Sequence, residues 1–327
     1  MDIDVSALKN LVLEKELSWD HVVKSIEQAL LVAYKHTPNA KEHARVELDR
    51  ITGHVVVFAQ ELNEQGEVVN EYDDTPKGFG RVAAATAKQV LVSRLREAKD
   101  DKAFVEFSAK EGDIISGVIQ QSQDPENIRV KIADNLEGYI PIAEQVPTEE
   151  YLHGSRLKVV VVTVRKGLRG PVVTLSRTHP LLVKGLFAME SPEVAGGAVE
   201  ILSVAREAGH RTKIAVVSKD PQVSAKGACI GPMGQRVRNV MGELGGEKID
   251  IIDFDEDPAT FITNALSPAK VSSCTVLDLE SKTARVVVPD YQLSLAIGRE
   301  GQNARLAARL TGWKIDIQSD STDSAKA

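Results

Sequence analysis

Cysteine is nearly absent from this sequence. Only Cys229 and Cys274 occur, and neither sits in a CxxC or Cys/His spacing. That excludes a zinc ribbon or a disulfide framework, so neither metal nor cofactor is expected. Aromatic residues amount to 4%, so base stacking on aromatic platforms is not expected to be the main source of any nucleic-acid affinity. No apolar run approaches a membrane span, and the acidic start MDIDVSALKN lacks a basic-then-apolar signal pattern. A cytoplasmic protein without membrane contact is therefore expected. Positive charge is also short. The net charge is -7, so a site for a polyanion must be a local patch. There is no GxxxxGK[ST] phosphate loop and no Ser/His/Asp or Cys/His arrangement, and the pairs Asp73-Asp74 and Asp100-Asp101 form no metal-binding set. An enzyme is not expected.

What is present is a chain of 327 residues, 43% apolar and 27% charged, long enough for several cores. Residues 4–36 read as two helices. Val5, Leu8, Leu11 and Val12 mark the first, and Ser18 caps a second whose stripe runs from Val22 to Ala33. Strands follow at Ala44–Leu48, Val55–Leu62 and Val68–Tyr72, then a long helix from Gly80 to Ala98. Residues 105–180 change character. Short apolar runs punctuated by glycine, ending in a turn with Lys166, Gly167, Arg169 and Gly170, suggest a small β-barrel. Their order resembles an S1 domain of the OB-fold type, with Tyr139, Arg165, Lys166 and Arg169 as possible RNA contacts. From 181 onward helix and strand alternate. Gly196–Ala208 reads as helix, Lys213–Ser218 and Lys248–Phe254 as strands, Phe261–Leu266 as helix, and Val271–Leu279 and Thr283–Val288 as strands. The polar tail from Ser319 reads as disordered.

The C-terminal half contains a repeat. IGPMGQRVRNVMGELGGEKIDI, starting at Ile230, is copied as IGREGQNARLAARLTGWKIDI, starting at Ile297. Two copies are too few for a solenoid and fit two tandem globular modules. In each, two glycines three apart precede a helix. Glycine lets backbone approach a ligand closely, and the free amides of a helix start favour an anion. Ile230, Val237, Ile297 and Ala304 can floor a groove for unstacked bases. This is the logic of the KH domain, whose GXXG loop clamps about four nucleotides. The expected RNA contacts in the first copy are Gly231, Pro232, Met233, Gly234, Gln235, Arg236 and Arg238, with Lys226 nearby. Those in the second are Gly298, Arg299, Glu300, Gly301, Gln302, Asn303, Arg305 and Arg309. Pro232 has no amide hydrogen and the first loop no basic residue. The first module is thus expected to lean on Arg236 and Arg238 or to bind more weakly, with Gly298–Gly301 the stronger phosphate clamp. Charge balance agrees: residues 267–327 hold eight basic and seven acidic side chains, against 14 and 18 in 1–104.

Longer strings are more specific than any GXXG. DDTPKGFGRVAAATAKQV (73–90), LSRTHPLLVKGLF (175–187), GACIGPMGQRVRNV (227–240), NALSPAKV (264–271) and AIGREGQNARLAARLTGW (296–313) resemble the NusA family of bacterial transcription factors over all but the tail. The resemblance implies a multidomain α+β fold: an N-terminal polymerase-binding domain with a long connecting helix (1–104), an S1 barrel (105–180), two tandem α-first KH domains (181–266 and 267–318) and a disordered tail (319–327). It implies RNA polymerase and nascent single-stranded RNA as partners, with other antitermination factors and the ribosome as further ones. The implied role is modulation of pausing, termination and antitermination. The alternative is a ribosome-associated or RNA-processing S1/KH protein, which would share every RNA-side feature.

Overall fold

The computed structural model describes residues 3–14, 18–122, 124–134, 136–168 and 170–323. The chain divides into two compact units, residues 1–105 with 168–171 and residues 106–167 with 172–327.

In the first unit, α1 (Val5–Glu14) and α2 (Trp19–Lys35) precede an antiparallel sheet of β1 (Ala44–Leu48), β2 (Val55–Leu62) and β3 (Val68–Asp73), in that order. Val23, Ile26 and Leu30 project from one stripe of α2, as the 3.6-residue period dictates, and pack against Val57 of β2 and Ala83 and Ala87 of α3 (Phe79–Ser108). Ser18 takes the N-cap position but makes no side-chain bond there. The long helix runs beyond Ala98, where its sequence pattern gave out, to Ser108.

The second unit opens with a closed five-stranded barrel, order β4-β5-β6-β8-β7. Its strands are β4 (Ile114–Ile119), β5 (Asn127–Ala133), β6 (Leu136–Pro141), β7 (Arg156–Gly167) and β8 (Gly170–Ser176). Two modules of the same α-β-β-α-α-β order follow. In the first, α4 (Pro180–Glu190) and the short α5 (Pro192–Ala195) lead into β9 (Val199–Glu207), β10 (Arg211–Ser218), α6 (Ala225–Ile230), α7 (Gln235–Glu243) and β11 (Lys248–Asp253). In the second, α8 (Pro258–Ala265) leads into β12 (Ser273–Asp278), β13 (Thr283–Val288), α9 (Asp290–Ile297), α10 (Gln302–Thr311) and β14 (Lys314–Ser319). Both sheets join one antiparallel and one parallel pair, and the parallel registers correspond: Arg211 faces Lys248, and Thr283 faces Lys314.

Three readings of the sequence are corrected. Gly196–Ala208 is not a helix. Val199 and Ile201 face the core of the first module from β9 and Ala205 faces the opposite side of the sheet, and β9 forms a hairpin with β10 around Gly209 (φ +79°). The boundary read after Leu266 falls before α8, because Phe261, Ile262 and Ala265 pack with Ala284, Val286 and Val288 of the second sheet. The tail is also ordered further than expected: Ser319 ends β14 and α11 (Asp320–Asp323) follows, with residues 324–327 outside the described set.

Two joints fix the second unit. Ala205, Ala215 and Ile252 on the outer face of the first sheet share one apolar core with α8 and α10, so those helices are buried between the two sheets. The barrel meets the first module through a buried polar network. Arg177 donates to both oxygens of Glu149, to the Lys158 carbonyl (2.8 Å) and to the Glu243 carbonyl (2.8 Å). Beside it, Arg206 pairs with Glu247 (2.9 Å) and donates to the Arg177 carbonyl. Glu247 accepts further bonds from Gly209 N (2.8 Å) and Thr212 Oγ1 (2.5 Å). Charges removed from water this completely persist only when every partner is in place.

Candidate nucleic-acid interface

The two glycine loops have nearly the same backbone. Gly231 ends α6 at φ 72°, ψ 174°, and Gly298 ends α9 at φ 76°, ψ 171°. One 3-10 turn follows in each, closed by Gly234 N to the Gly231 carbonyl (3.0 Å) and Gly301 N to the Gly298 carbonyl (3.1 Å). Met233 and Glu300 are both left-handed at φ 53°, and so are Gly234 and Gly301, at φ 73° and 74°. A non-glycine residue in that region carries strain that the surroundings must sustain. Finding it at the same position of both copies, on the exposed rim of the loop, indicates a shape held for a purpose.

The glycines within each loop have different jobs. A Cβ on Gly231 would lie 2.4 Å from Arg236 Cγ, and one on Gly298 would lie 2.8 Å from Asn303 N. Gly301 has open space around it, and Gly234 meets only the flexible Arg238 guanidinium. The first glycine makes room for what lies beneath the loop. The second leaves the outer surface bare, where a phosphodiester can approach the amides of the helix start.

What lies beneath bears on two of the expected contacts. Arg236 and Asn303, equivalent in the repeat, both turn inward and donate to the carbonyl end of the preceding helix. Arg236 Nη1 reaches the Ala228 carbonyl and Glu193 Oε2, each at 2.7 Å. Asn303 is 2% exposed, and its Nδ2 reaches the carbonyls of Leu266, Leu295 and Ala296 at 3.0–3.3 Å. Terminal helix carbonyls lack intrahelical donors, and these side chains supply them. Both residues support the loop from inside: Asn303 is buried, and Arg236 commits Nη1 inward with its side chain 21% exposed.

The rest of the expected set divides by exposure. Gln235 and Arg238 are exposed with no side-chain partner among the described residues, and Arg299 is 93% exposed beside Glu300 (3.7 Å). Arg309 is exposed on the next turn of α10. Lys226 pairs with Asp253 (2.9 Å). Ile230 and Ile297 stand at the loop entrances, each 39% exposed, where bases could lie against them. Arg305 and Gln302 are engaged across the module boundary. Arg305 Nε donates to Glu207 Oε1 (2.6 Å) and Gln302 Nε2 to Glu207 Oε2 (2.9 Å). These bonds, Arg305 first, hold the Glu207 carboxyl below the usual glutamate value. A groove of about 660 Å³ opens here, walled by the second loop and by His210, Arg211 and Lys248 of the first module. Glu207 escaped the sequence reading because it lies far from either glycine pair, in a segment read as helix.

On the barrel, Arg165 and Lys166 are exposed and Tyr139 is half-buried, while Arg169 lies outside the described residues. Tyr151 is committed to packing: its hydroxyl accepts from Val146 N (2.8 Å) and donates to Glu149. Among the described residues, no group of three His, Cys, Asp or Glu side chains could hold a metal, and no helix is long and apolar enough to cross a membrane.

Comparison with known proteins matches the chain module by module. The NusA N-terminal domain model matches residues 5–63 and 59–101, and the S1 RNA binding domain model 108–176. The NusA-like first and second KH domain models match 177–254 and 258–325. The transcription termination/antitermination protein NusA of Mycobacterium tuberculosis is 57% identical over 327 residues, covering 98% of this chain and 94% of the relative. The protein of the same name from Bacillus subtilis is 46% identical, covering 97% and 90%. That of Thermus thermophilus is 38% identical, covering 96% and 89%.

Proposed function

The chain belongs to the NusA family, and on that premise we propose that it is an RNA-binding transcription elongation factor that engages RNA polymerase and nascent RNA together. The observation that carries the RNA half is the pair of superimposable glycine loops. Each presents a bare glycine, an exposed aliphatic residue and the start of a helix on one rim. No single loop needs to bind tightly. The first unit tethers the protein to polymerase, which raises the local concentration of the barrel and both KH modules beside the emerging transcript. Modulation of pausing, hairpin-dependent termination and antitermination then follows from where the strand is held. The apolar core shared by the KH modules supports this reading, because it holds the two loop-bearing modules together.

The test is a single-round transcription assay on a pause-containing template. The full chain is expected to change the dwell time at the pause, and a chain carrying aspartate at both Gly234 and Gly301 to lose the effect while still co-purifying with polymerase. A wild-type chain that leaves dwell time unchanged and does not retain polymerase would reject the proposal. Retention of ribosomes by the same chain would favour the ribosome-associated alternative.

A further inference from the structure

The two copies of the repeat differ where Glu207 intervenes. Gln235 and Arg238, following the first loop, are exposed and without side-chain partners among the described residues. Their equivalents, Gln302 and Arg305, are both taken by one carboxylate from the other module, Glu207 at the end of β9. Arg305 also donates Nη1 to the Glu300 carbonyl (3.1 Å), so the clasp reaches into the glycine loop. A carboxylate bonded to an arginine and an amide beside a GXXG turn occupies the groups that a phosphodiester would otherwise attract.

We propose that Glu207 is an affinity-setting residue: it stands in for a phosphate at the second KH loop and holds Arg305 and Gln302 back from RNA. This rests on the RNA-binding reading above. Binding at the second loop then involves Arg299 and the helix-start amides, with Arg305 withheld. Freed of the clasp, Arg305 would neutralise one further phosphate.

The experiment measures affinity of the full-length chain for a fluorescein-labelled single-stranded RNA of about 12 nucleotides, by anisotropy from 50 to 300 mM salt. For Glu207→Gln, one added phosphate contact steepens the log–log salt slope by about 0.7, and at 0.1 M salt tightens binding about fivefold. In the Glu207→Gln/Arg305→Gln double variant the gain disappears. Arg305→Gln alone, in the wild-type background, changes affinity less than about twofold, because the withheld arginine contributes little. This arm stands even where Glu207→Gln weakens the fold, which melting curves of each variant reveal. Unchanged or weaker binding by folded Glu207→Gln overturns the proposal, and so does a large loss from Arg305→Gln alone. Absence of RNA binding by the wild-type chain would instead overturn the RNA-binding reading itself.

Discussion

Replacing both outer loop glycines, Gly234→Asp with Gly301→Asp, separates binding from folding. The backbone at Gly301 (φ 74°, ψ 13°) lies in the left-handed region that aspartate visits at a cost of about 1–2 kcal/mol or less, and nothing lies within 4 Å of its missing Cβ. At Gly234 the new carboxylate meets the Arg238 guanidinium, the flexible end of a side chain, so it also draws that arginine away from RNA. A carboxylate about 5 Å from a phosphate is repelled by about 0.8 kcal/mol at bulk-water dielectric and about 3 kcal/mol at an effective constant of 20. Each loop therefore loses roughly 4- to 140-fold in affinity. The inner glycines behave differently. Gly298→Asp puts a Cβ 2.8 Å from Asn303 N at ψ 171°, outside the region aspartate tolerates, and must distort the loop. Anisotropy with single-stranded RNA, paired with urea unfolding, reads both effects. The outer pair should lose binding with a stability loss of no more than about 1–2 kcal/mol per site, and Gly298→Asp should lose more stability than either. Native affinity in the folded outer-pair variant would refute the phosphate assignment. Equal loss of stability in the two variants would refute the division of labour between glycines.

Four further outcomes follow from the contacts. Asn303→Ala removes the Nδ2 donor from the Leu266, Leu295 and Ala296 carbonyls, of which Leu266 keeps Ala269 N (3.1 Å), and should cost about 1–3 kcal/mol in urea unfolding. Arg238→Ala should stay within about 0.5 kcal/mol of wild type yet weaken RNA binding. Glu247→Gln strands the buried Arg206 charge and should cost about 3–5 kcal/mol, seen as a lower urea midpoint. The Glu207 carboxyl is depressed in the folded chain, so its contribution is fully present above the ordinary glutamate value of 4.5 and is lost as pH falls through the depressed value. The difference in urea midpoint between wild type and Glu207→Gln should accordingly shrink in acid, and a pH-independent difference would contradict the ion pair.

Much of this molecule was legible from periodicity and repetition. The helices of the first unit, the barrel strands and the paired glycine loops all announce themselves locally, through 3.6-residue stripes, glycine punctuation and the copied IGxxGQ string. What stayed hidden depends on contacts distant in sequence. The run Val199–Glu207 carries good helix formers among its apolar residues, and only pairing with β10 makes it a strand. Arg236 reads as a phosphate ligand by charge, yet Glu193 and the end of α6 draw it inward. Asn303 does the same task without charge, so the shared role of the two positions appears only when both loops are compared in three dimensions. The Glu207 clasp joins residues almost a hundred positions apart, and no local pattern encodes it.

The most direct test of the whole account is ultraviolet and chemical crosslinking of the full chain in cells, with adducts mapped by mass spectrometry. The account predicts RNA adducts concentrated at residues 230–238 and 297–309, and polymerase adducts within residues 3–105. RNA adducts absent from both glycine loops, or ribosomal proteins in place of polymerase on the first unit, would contradict it.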